Sequence, residues 1–340
     1  MRILVVGGGN LGHTSAAVLS NREGVIVDLL THNPEKWNKE YIVNLPDGER
    51  ITGKLNMISC QPEALVPNAD WIFLCLPATQ VEKELLRIKP YLPSETIVGS
   101  VVGNTGFFIY CHKHLNASSK LFSFQRVPYI SRIVDYGKEA NLLGYRDRLI
   151  MAVENIEDRE SFRKQVEYLF GEKTVLADSF YEVTLSNSNP ILHTGRVYTM
   201  WKDWDGKPYD RCSLFYKEWT KEASELEIEM DKEFFALLKK LNVSTKHIET
   251  LLEHYESVDA EGMTNKIRSI ESLSTILSPM KQVEGGWVPD FSSRYFTEDF
   301  PYGLSFILRL CSEFGVECSS LSKVYKWGNI KIAEENSAFY

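Results

Sequence analysis

The chain has 340 residues, 44% of them hydrophobic, which is enough for two domains of ordinary size with substantial cores. A net charge of −8 excludes the basic footprint of a nucleic-acid binder, and no apolar run reaches the roughly 18 residues that would span a bilayer. The six cysteines (Cys60, Cys75, Cys111, Cys212, Cys311, Cys318) show no C-x-x-C spacing; with a first segment that reads as a core strand rather than a basic leader, they point to reduced thiols in a cytoplasmic protein.

Arg2-Ile3-Leu4-Val5-Val6 is a short apolar run that breaks into Gly7-Gly8-Gly9-Asn10-Leu11-Gly12, followed by helix formers. Strand, G-x-G-x-x-G turn and helix in this order form the first unit of a dinucleotide-binding fold. Gly7 permits the tight turn, Gly9 lets a pyrophosphate approach the backbone, and Gly12 lets the helix pack closely on the strand. The helix start, at Asn10 and Leu11, offers unpaired N–H groups and the positive end of a dipole to the phosphates. A helix is expected over Leu11 to Ser20 and a second strand over Val25 to Thr31. Further strands are expected over Ile51 to Ser59, Ala69 to Leu76, Glu95 to Val102, Leu121 to Gln125 and Leu149 to Val153, with a helix over Val81 to Leu92. The alternation gives an α/β fold, a Rossmann-type doubly wound parallel sheet over residues 1–178.

After about Asp178 the pattern changes. Leu226, Met230, Phe234, Leu237, Leu238 and Leu241 recur at helical spacing within Phe215 to Leu241, and helices are expected over Thr245 to Tyr255 and Tyr302 to Phe314. Residues 179–340 thus read as a mainly α-helical second domain.

In the NAD-binding version of the first unit, an acidic residue at the end of strand two holds the ribose 2′-OH. Here that position falls near Thr31, and Asp28 lies three residues too early within the strand. Thr31, His32 and Asn33 bring no negative charge against a 2′-phosphate, and Lys36 and Lys39 follow. NADP(H) is favoured, and NAD(H) stays compatible.

Two segments of the second half combine polar groups with turn formers: Ser186-Asn187-Ser188-Asn189-Pro190-Ile191-Leu192-His193-Thr194-Gly195-Arg196, and Pro289 through Gly303 with Arg294, Glu298 and Asp299. An imidazole, a carboxylate to orient it and a guanidinium to clamp a substrate carboxylate suit carbonyl reduction. By themselves, a lone histidine is more often structural than catalytic, and an Arg five residues from an Asp is usually a surface pair.

On these segments, together with Gly7–Gly12, Leu76-Pro77-Ala78 and Gly103-Asn104-Thr105-Gly106, the chain resembles the opine dehydrogenases (octopine/nopaline type), whose second domain is similar to that of 6-phosphogluconate dehydrogenase. The resemblance covers nearly the whole length. It implies reductive condensation of an amino acid amine with an α-keto acid, using NADH or NADPH. It further implies that His193 is the acid/base with Asp299 as its partner, that Arg294 holds a substrate carboxylate, and that Asn187 and Asn189 shape the substrate pocket. Leu76, Pro77, Ala78 and Asn104 join Thr31 and His32 among the residues expected at the dinucleotide. Where the family carries Pro after the histidine, this chain has Thr194-Gly195-Arg196, which alters the local backbone and is expected to bring an extra cation near the substrate.

Two alternatives stand beside this reading. One is a simple keto-acid reductase of ketopantoate-like substrates, separated by whether an amine co-substrate is required. The other is a non-catalytic dinucleotide sensor in which His193 and Asp299 serve packing. Elsewhere, Cys111-His112-Lys113-His114 suggests a metal only superficially, because i, i+2 histidines diverge on a helix, and no metal is expected. Trp201 to Arg211 suits a substrate-covering loop and a homodimer contact equally. The acidic run Glu222 to Glu233 reads as a solvated helix face, and Cys75 as a core residue.

Overall fold

The computed structural model describes residues 1–337. The chain divides into two compact units, the first ending at Ser186 and the second beginning at Asn187. Along the first unit run β1 (Arg2–Val6), α1 (Asn10–Ser20), β2 (Ile26–Leu30), β3 (Glu40–Asn44), β4 (Arg50–Lys54), β5 (Ile58–Ser59), α2 (Pro62–Leu65), β6 (Trp71–Leu74) and α3 (Ala78–Ile88). They are followed by β7 (Ile97–Ser100), α4 (Phe107–His114), β8 (Lys120–Phe124), β9 (Tyr129–Asp135), β10 (Glu139–Tyr145), β11 (Leu149–Glu154), α5 (Arg159–Phe170), β12 (Thr174–Leu176) and α6 (Phe180–Thr184). The division falls beyond the expected Asp178, because α6 packs on β11 and on the turn at Gly103 and so stays with the first unit.

The main sheet has eight strands in the order β12-β11-β8-β7-β6-β1-β2-β5. Pairing is parallel from β5 through β8; β11 then joins β8 antiparallel. Central strands buried on both faces explain the unbroken apolar runs: Ile3 to Val6 and Ile72 to Leu74 are all at most 1% exposed. The strand order reverses direction at β1 and β6, the switch point where open α/β sheets bind ligands, and the glycine turn leaves β1 there.

A second sheet, β4-β3-β10-β9, goes beyond what the strand spacing predicts. The stretch expected as one strand from Ile51 to Ser59 is split: β4 pairs with β3, and β5 joins the main sheet beside β2. On β9 burial alternates from Tyr129 to Arg132, the mark of a sheet with one solvated face, and such strands lack a continuous apolar run. This sheet packs against α1. His13 on α1 is fully buried; its Nδ1 faces the Gly9 carbonyl at 2.9 Å, and its Nε2 accepts from the Gly137 N–H at 2.8 Å. The Asn10 side chain accepts from the Ile133 N–H at 2.8 Å, and Thr14 pairs with Ser131 at 2.7 Å. The helix that begins at the glycine turn is thereby tied to β9.

The second unit holds α7 (Asn189–Trp201), α8 (Lys221–Lys240), α9 (Leu251–His254), α10 (Ala260–Ser269), the hairpin β13 (Met280–Val283) and β14 (Gly286–Pro289), a π-helical segment Tyr295–Leu304, α11 (Ser305–Phe314) and α12 (Ser319–Ser337). The expected helix from Phe215 begins only at Lys221, where the Thr220 hydroxyl accepts from the Ala223 N–H, and residues 215–218 lie outside it as turns. The helix expected over Thr245 to Tyr255 shrinks to α9, capped by a reciprocal Thr250–Glu253 box. Pro301 lies within the π-helical segment, where the missing N–H suits a widened turn. Close approaches brace that segment: a Cβ on Gly303 would sit 2.4 Å from Pro190 Cγ at the start of α7, and one on Gly328 of α12 would sit 2.0 Å from Phe300.

The acidic run on α8 is not a uniformly solvated face. Glu222, Glu225 and Glu229 are exposed, whereas Glu227 and Asp231 turn inward. Their i, i+4 spacing puts both on the buried stripe. Among the described residues no helix is long and apolar enough to cross a membrane.

Candidate functional site

In the first unit the glycine turn has the shape the spacing demands. Gly7 sits at φ +112°, and a Cβ there would lie 2.6 Å from the Cys75 carbonyl oxygen. A Cβ on Gly12 would lie 1.9 Å from the Gly7 oxygen, so α1 starts pressed against the turn. Over Gly9, in contrast, a Cβ would meet nothing within 4 Å. Gly9 is also the N-cap of α1 and supplies no side-chain cap, so the first-turn N–H groups of Asn10, Leu11 and Gly12 point into that open space. An open surface above a helix start, walled by glycines, fits the pyrophosphate of a dinucleotide. The Asn10 side chain is committed to the Ile133 N–H, and Leu11 is partly buried against the core.

At the end of β2, the Thr31 hydroxyl is buried and pairs with the Tyr136 hydroxyl at 3.2 Å. Asp28 is consumed structurally, accepting from Asn56 Nδ2 and the Met57 N–H and facing Arg2. His32 is exposed; its Nε2 lies 3.0 Å from Glu84, whose other oxygen accepts from Arg87 on α3. Arg87 is a cation that sequence spacing does not place beside His32. Lys36 and Lys39 are exposed. Leu76 and Ala78 are partly buried and Pro77 is exposed where α3 begins, and Asn104 lies in the one-turn helix after β7.

In the second unit His193, on α7, and Asp299, on the π-helical segment, meet. His193 Nδ1 donates to Asp299 Oδ2 at 2.9 Å, with only 14% and 17% of the two side chains exposed. A carboxylate can only accept, so the neutral ring carries its proton on Nδ1 and leaves Nε2 as the basic nitrogen. Nε2 lies 3.1 Å from the Tyr216 hydroxyl, and the ring packs near Tyr295 (centroids 4.7 Å) and Phe215 (5.9 Å). The sequence does not mark Tyr216, because the helical spacing runs on from Phe215. The usable signal was the aromatic Phe215-Tyr216-x-x-Trp219 run just before the Thr220 cap.

Arg294 caps the same segment as Asp299 but is 82% exposed, and its guanidinium forks onto Glu298 at 3.0 and 2.8 Å. That side-chain pairing holds its pKa up, with Glu298 and Asp299 adding to the effect. Asn187 Oδ1 accepts from the Asn189 N–H at 3.3 Å at the start of α7, and Asn189 is exposed. The expectation that Arg196 brings a cation to the substrate is corrected: it is 3% exposed, and it donates to the carbonyls of Phe215 (3.2 Å) and Glu218 (2.8 Å). Burial lowers its pKa to about 10.

Glu227 lies close to Gly195, with its Cγ 2.6 Å from where a Cβ would stand. It is fully buried, and neither carboxylate oxygen has a hydrogen-bond partner. Burial raises its pKa well above the ordinary carboxyl value, outweighing the opposing pull of Arg196. A carboxyl raised on folding binds its proton more tightly in the native state. Its contribution is therefore present below the unfolded value and is lost as pH rises through the folded one. Glu227→Gln should match the parent only below the ordinary glutamate pKa of about 4.3 and become progressively more stable than the parent as pH rises above it, by about 1.4 kcal/mol per unit of pKa shift removed. Thermal melts across pH check this; parallel curves for the two proteins would refute it.

The remaining signals resolve locally. His112 pairs with Glu154 at 2.6 Å, and His114 and Lys113 pair with Glu82. Among the described residues no three metal-ligating side chains cluster. Trp201 is buried, while Tyr209 exchanges backbone hydrogen bonds with Trp287 of β14, which fastens that loop to the hairpin. Cys75 is buried, its thiol pushed up to about 12 by desolvation.

Residues 176–332 match a family model described as NAD/NADP octopine/nopaline dehydrogenase, alpha-helical domain, and residues 3–102 match one described as ketopantoate reductase PanE/ApbA. The chain is 26% identical to octopine dehydrogenase of Pecten maximus, covering 98% of this chain and 91% of that protein. It is 27% identical to opine dehydrogenase of Haliotis discus hannai, covering 98% and 90%. A solved octopine dehydrogenase structure with NADH and L-arginine superposes with a TM-score of 0.87 at 25% identity, covering 98% of this chain and 90% of that one. The similarity to these dehydrogenases over nearly the whole chain indicates a nicotinamide-dinucleotide-dependent oxidoreductase. More particularly, the proteins it is similar to over nearly its whole length are octopine and opine dehydrogenases.

Proposed function

We propose that this protein is an opine-type dehydrogenase that prefers NADP(H), acts on a CH–NH bond, and joins the amine of an amino acid to the carbonyl of an α-keto acid. The observation that carries the reading is the His193–Asp299 pair, half-enclosed in aromatic rings and with its basic nitrogen defined. Gly7, Gly9 and Gly12 shape the turn that holds the pyrophosphate, and the first N–H groups of α1 neutralise it. The reduced dinucleotide supplies the hydride.

The amine attacks the ketone carbon, and His193 protonates the hydroxyl that leaves as water, giving an imine ready for reduction. Asp299 keeps the imidazole in one tautomer and stabilises its protonated form. Arg294, released from Glu298, clamps a substrate carboxylate through two parallel hydrogen bonds. NADP(H) preference is supported by the lack of an acidic side chain at Thr31, by the commitment of Asp28 to Asn56 and Met57, and by His32 after β2 with Arg87 of α3 beside it.

The test is a matrix of amino acids against pyruvate and 2-oxoglutarate, following nicotinamide absorbance with NADPH and with NADH. Arginine and pyruvate come first, because octopine dehydrogenase was solved with each. Oxidation that requires both substrates is expected. Equal rates with a keto acid alone would replace the reading with a simple reductase.

A further inference from the structure

We propose that Tyr216 is a positioning residue of the acid–base pair, its hydroxyl holding the Nε2 face of His193 while Arg196 holds the turn that carries it. The proposal rests on His193 being the acid/base.

The geometry is layered. Arg196 lies one helical turn beyond His193 on α7 and binds the carbonyls of Phe215 and Glu218, which flank Tyr216 on either side. Its guanidinium also lies over the Trp219 ring, 5.2 Å from the centroid, and Trp219 stacks on Tyr216 at an interplanar angle of 4°. The same helix thus presents the imidazole and fixes, through Arg196, the group that meets it. Gly195 leaves room for the Glu227 side chain to close the back of this arrangement. The Thr194-Gly195-Arg196 run, which departs from the family's proline, therefore has a concrete use: it builds the seat of Tyr216.

The chemistry of a phenol suits that seat. Around it stand Asp299 and Tyr295 from the π-helical segment, Glu227 from α8, and Tyr255 after α9. Burial, with these groups, keeps the phenol neutral beyond its ordinary range. A neutral hydroxyl donates to Nε2 of the neutral ring and, after rotation about its C–O bond, accepts from Nε2–H of the imidazolium. Asp299 fixes Nδ1 in both states and Tyr216 sets the direction of Nε2 in the resting pair, giving way to the substrate hydroxyl when Nε2 delivers its proton, so the ring need not turn. A buried tyrosine could use the imidazole merely to satisfy its own O–H, and the experiment must separate that role from positioning.

Tyr216→Phe is compared with the parent for kcat, KM and dinucleotide affinity, together with ¹⁵N NMR of labelled imidazoles. The expected result is a fall in kcat of about 10–100-fold, the scale of a misplaced reacting group, with dinucleotide affinity and thermal transition retained. Asp299 should keep the ring proton on Nδ1, while the Nε2 resonance of His193 shifts and broadens as the ring loses its second anchor. Arg196→Lys, which replaces the two-carbonyl fork with a single donor, should shift both readouts the same way by a smaller factor. Parent-like kcat and an unchanged Nε2 resonance in folded Tyr216→Phe would overturn the proposal, as would a kcat loss with the Nε2 line as sharp as in the parent. An active His193→Ala would instead sink the acid/base reading itself; the ¹⁵N signature would still report whether Tyr216 holds the ring.

Discussion

Replacing His193 with alanine lowers turnover by about 10²–10⁴-fold, the range for loss of a general acid/base, while the dinucleotide continues to bind. The split follows from placement. His193 and Asp299 belong to the second unit, whereas the glycine turn and its helix start are built wholly within the first. Asp299→Asn should fall in the same direction, because an amide in place of the carboxylate no longer enforces the Nδ1–H tautomer. Steady-state kinetics with both substrates, paired with fluorescence titration of the reduced dinucleotide, check the split. Near-parental turnover of a folded His193→Ala would show that the proton is handled elsewhere.

The glycine turn gives the second large effect, and two of its positions answer different questions. Gly12→Ala places a Cβ where the Gly7 oxygen stands, so the backbone must move; a loss of about 3 kcal/mol of stability, the upper end of overpacking costs, is expected. Gly9→Ala places its Cβ in open space at ordinary negative φ, so the fold should hold within about 1 kcal/mol. That same methyl occupies the approach to the first-turn N–H groups. Dinucleotide affinity should drop at least ~10-fold, equivalent to about 1.4 kcal/mol. Denaturant melts and dinucleotide titrations on both variants provide the comparison. A Gly9→Ala protein that bound as well as the parent would place the pyrophosphate somewhere other than over Gly9.

The sequence announced the parts of this molecule whose physics is local. A doubly buried strand such as β1 must be apolar throughout, and a turn that lacks room for Cβ atoms must be glycine, so both are legible without a structure. The strands β9 and β10 are not, since their alternation is diluted by Arg132, Asn141 and a solvated outer face, and their reason for existing is the distant helix α1. His193 and Asp299 stand 106 residues apart, and their meeting depends on Gly303 packing against Pro190. Resemblance named the pair; only the fold shows what joins it. Arg196 shows the opposite case, where a charge suggested a ligand and the structure spends it on two carbonyls. Glu227 reads as solvent-facing in any count of acidic residues, yet its phase on α8 turns it inward.

The Arg294–Glu298 fork carries a thermodynamic consequence. In the proposed reaction a substrate carboxylate must take the place of one the protein already supplies. Glu298 is then a resident competitor, and the apparent affinity for substrate is the intrinsic affinity of the open fork multiplied by the fraction of time the fork stands open. Exposure keeps that internal pair weak, so the discount is modest. It applies to every carboxylate that comes to Arg294, which makes it a setting of working concentration rather than of substrate choice.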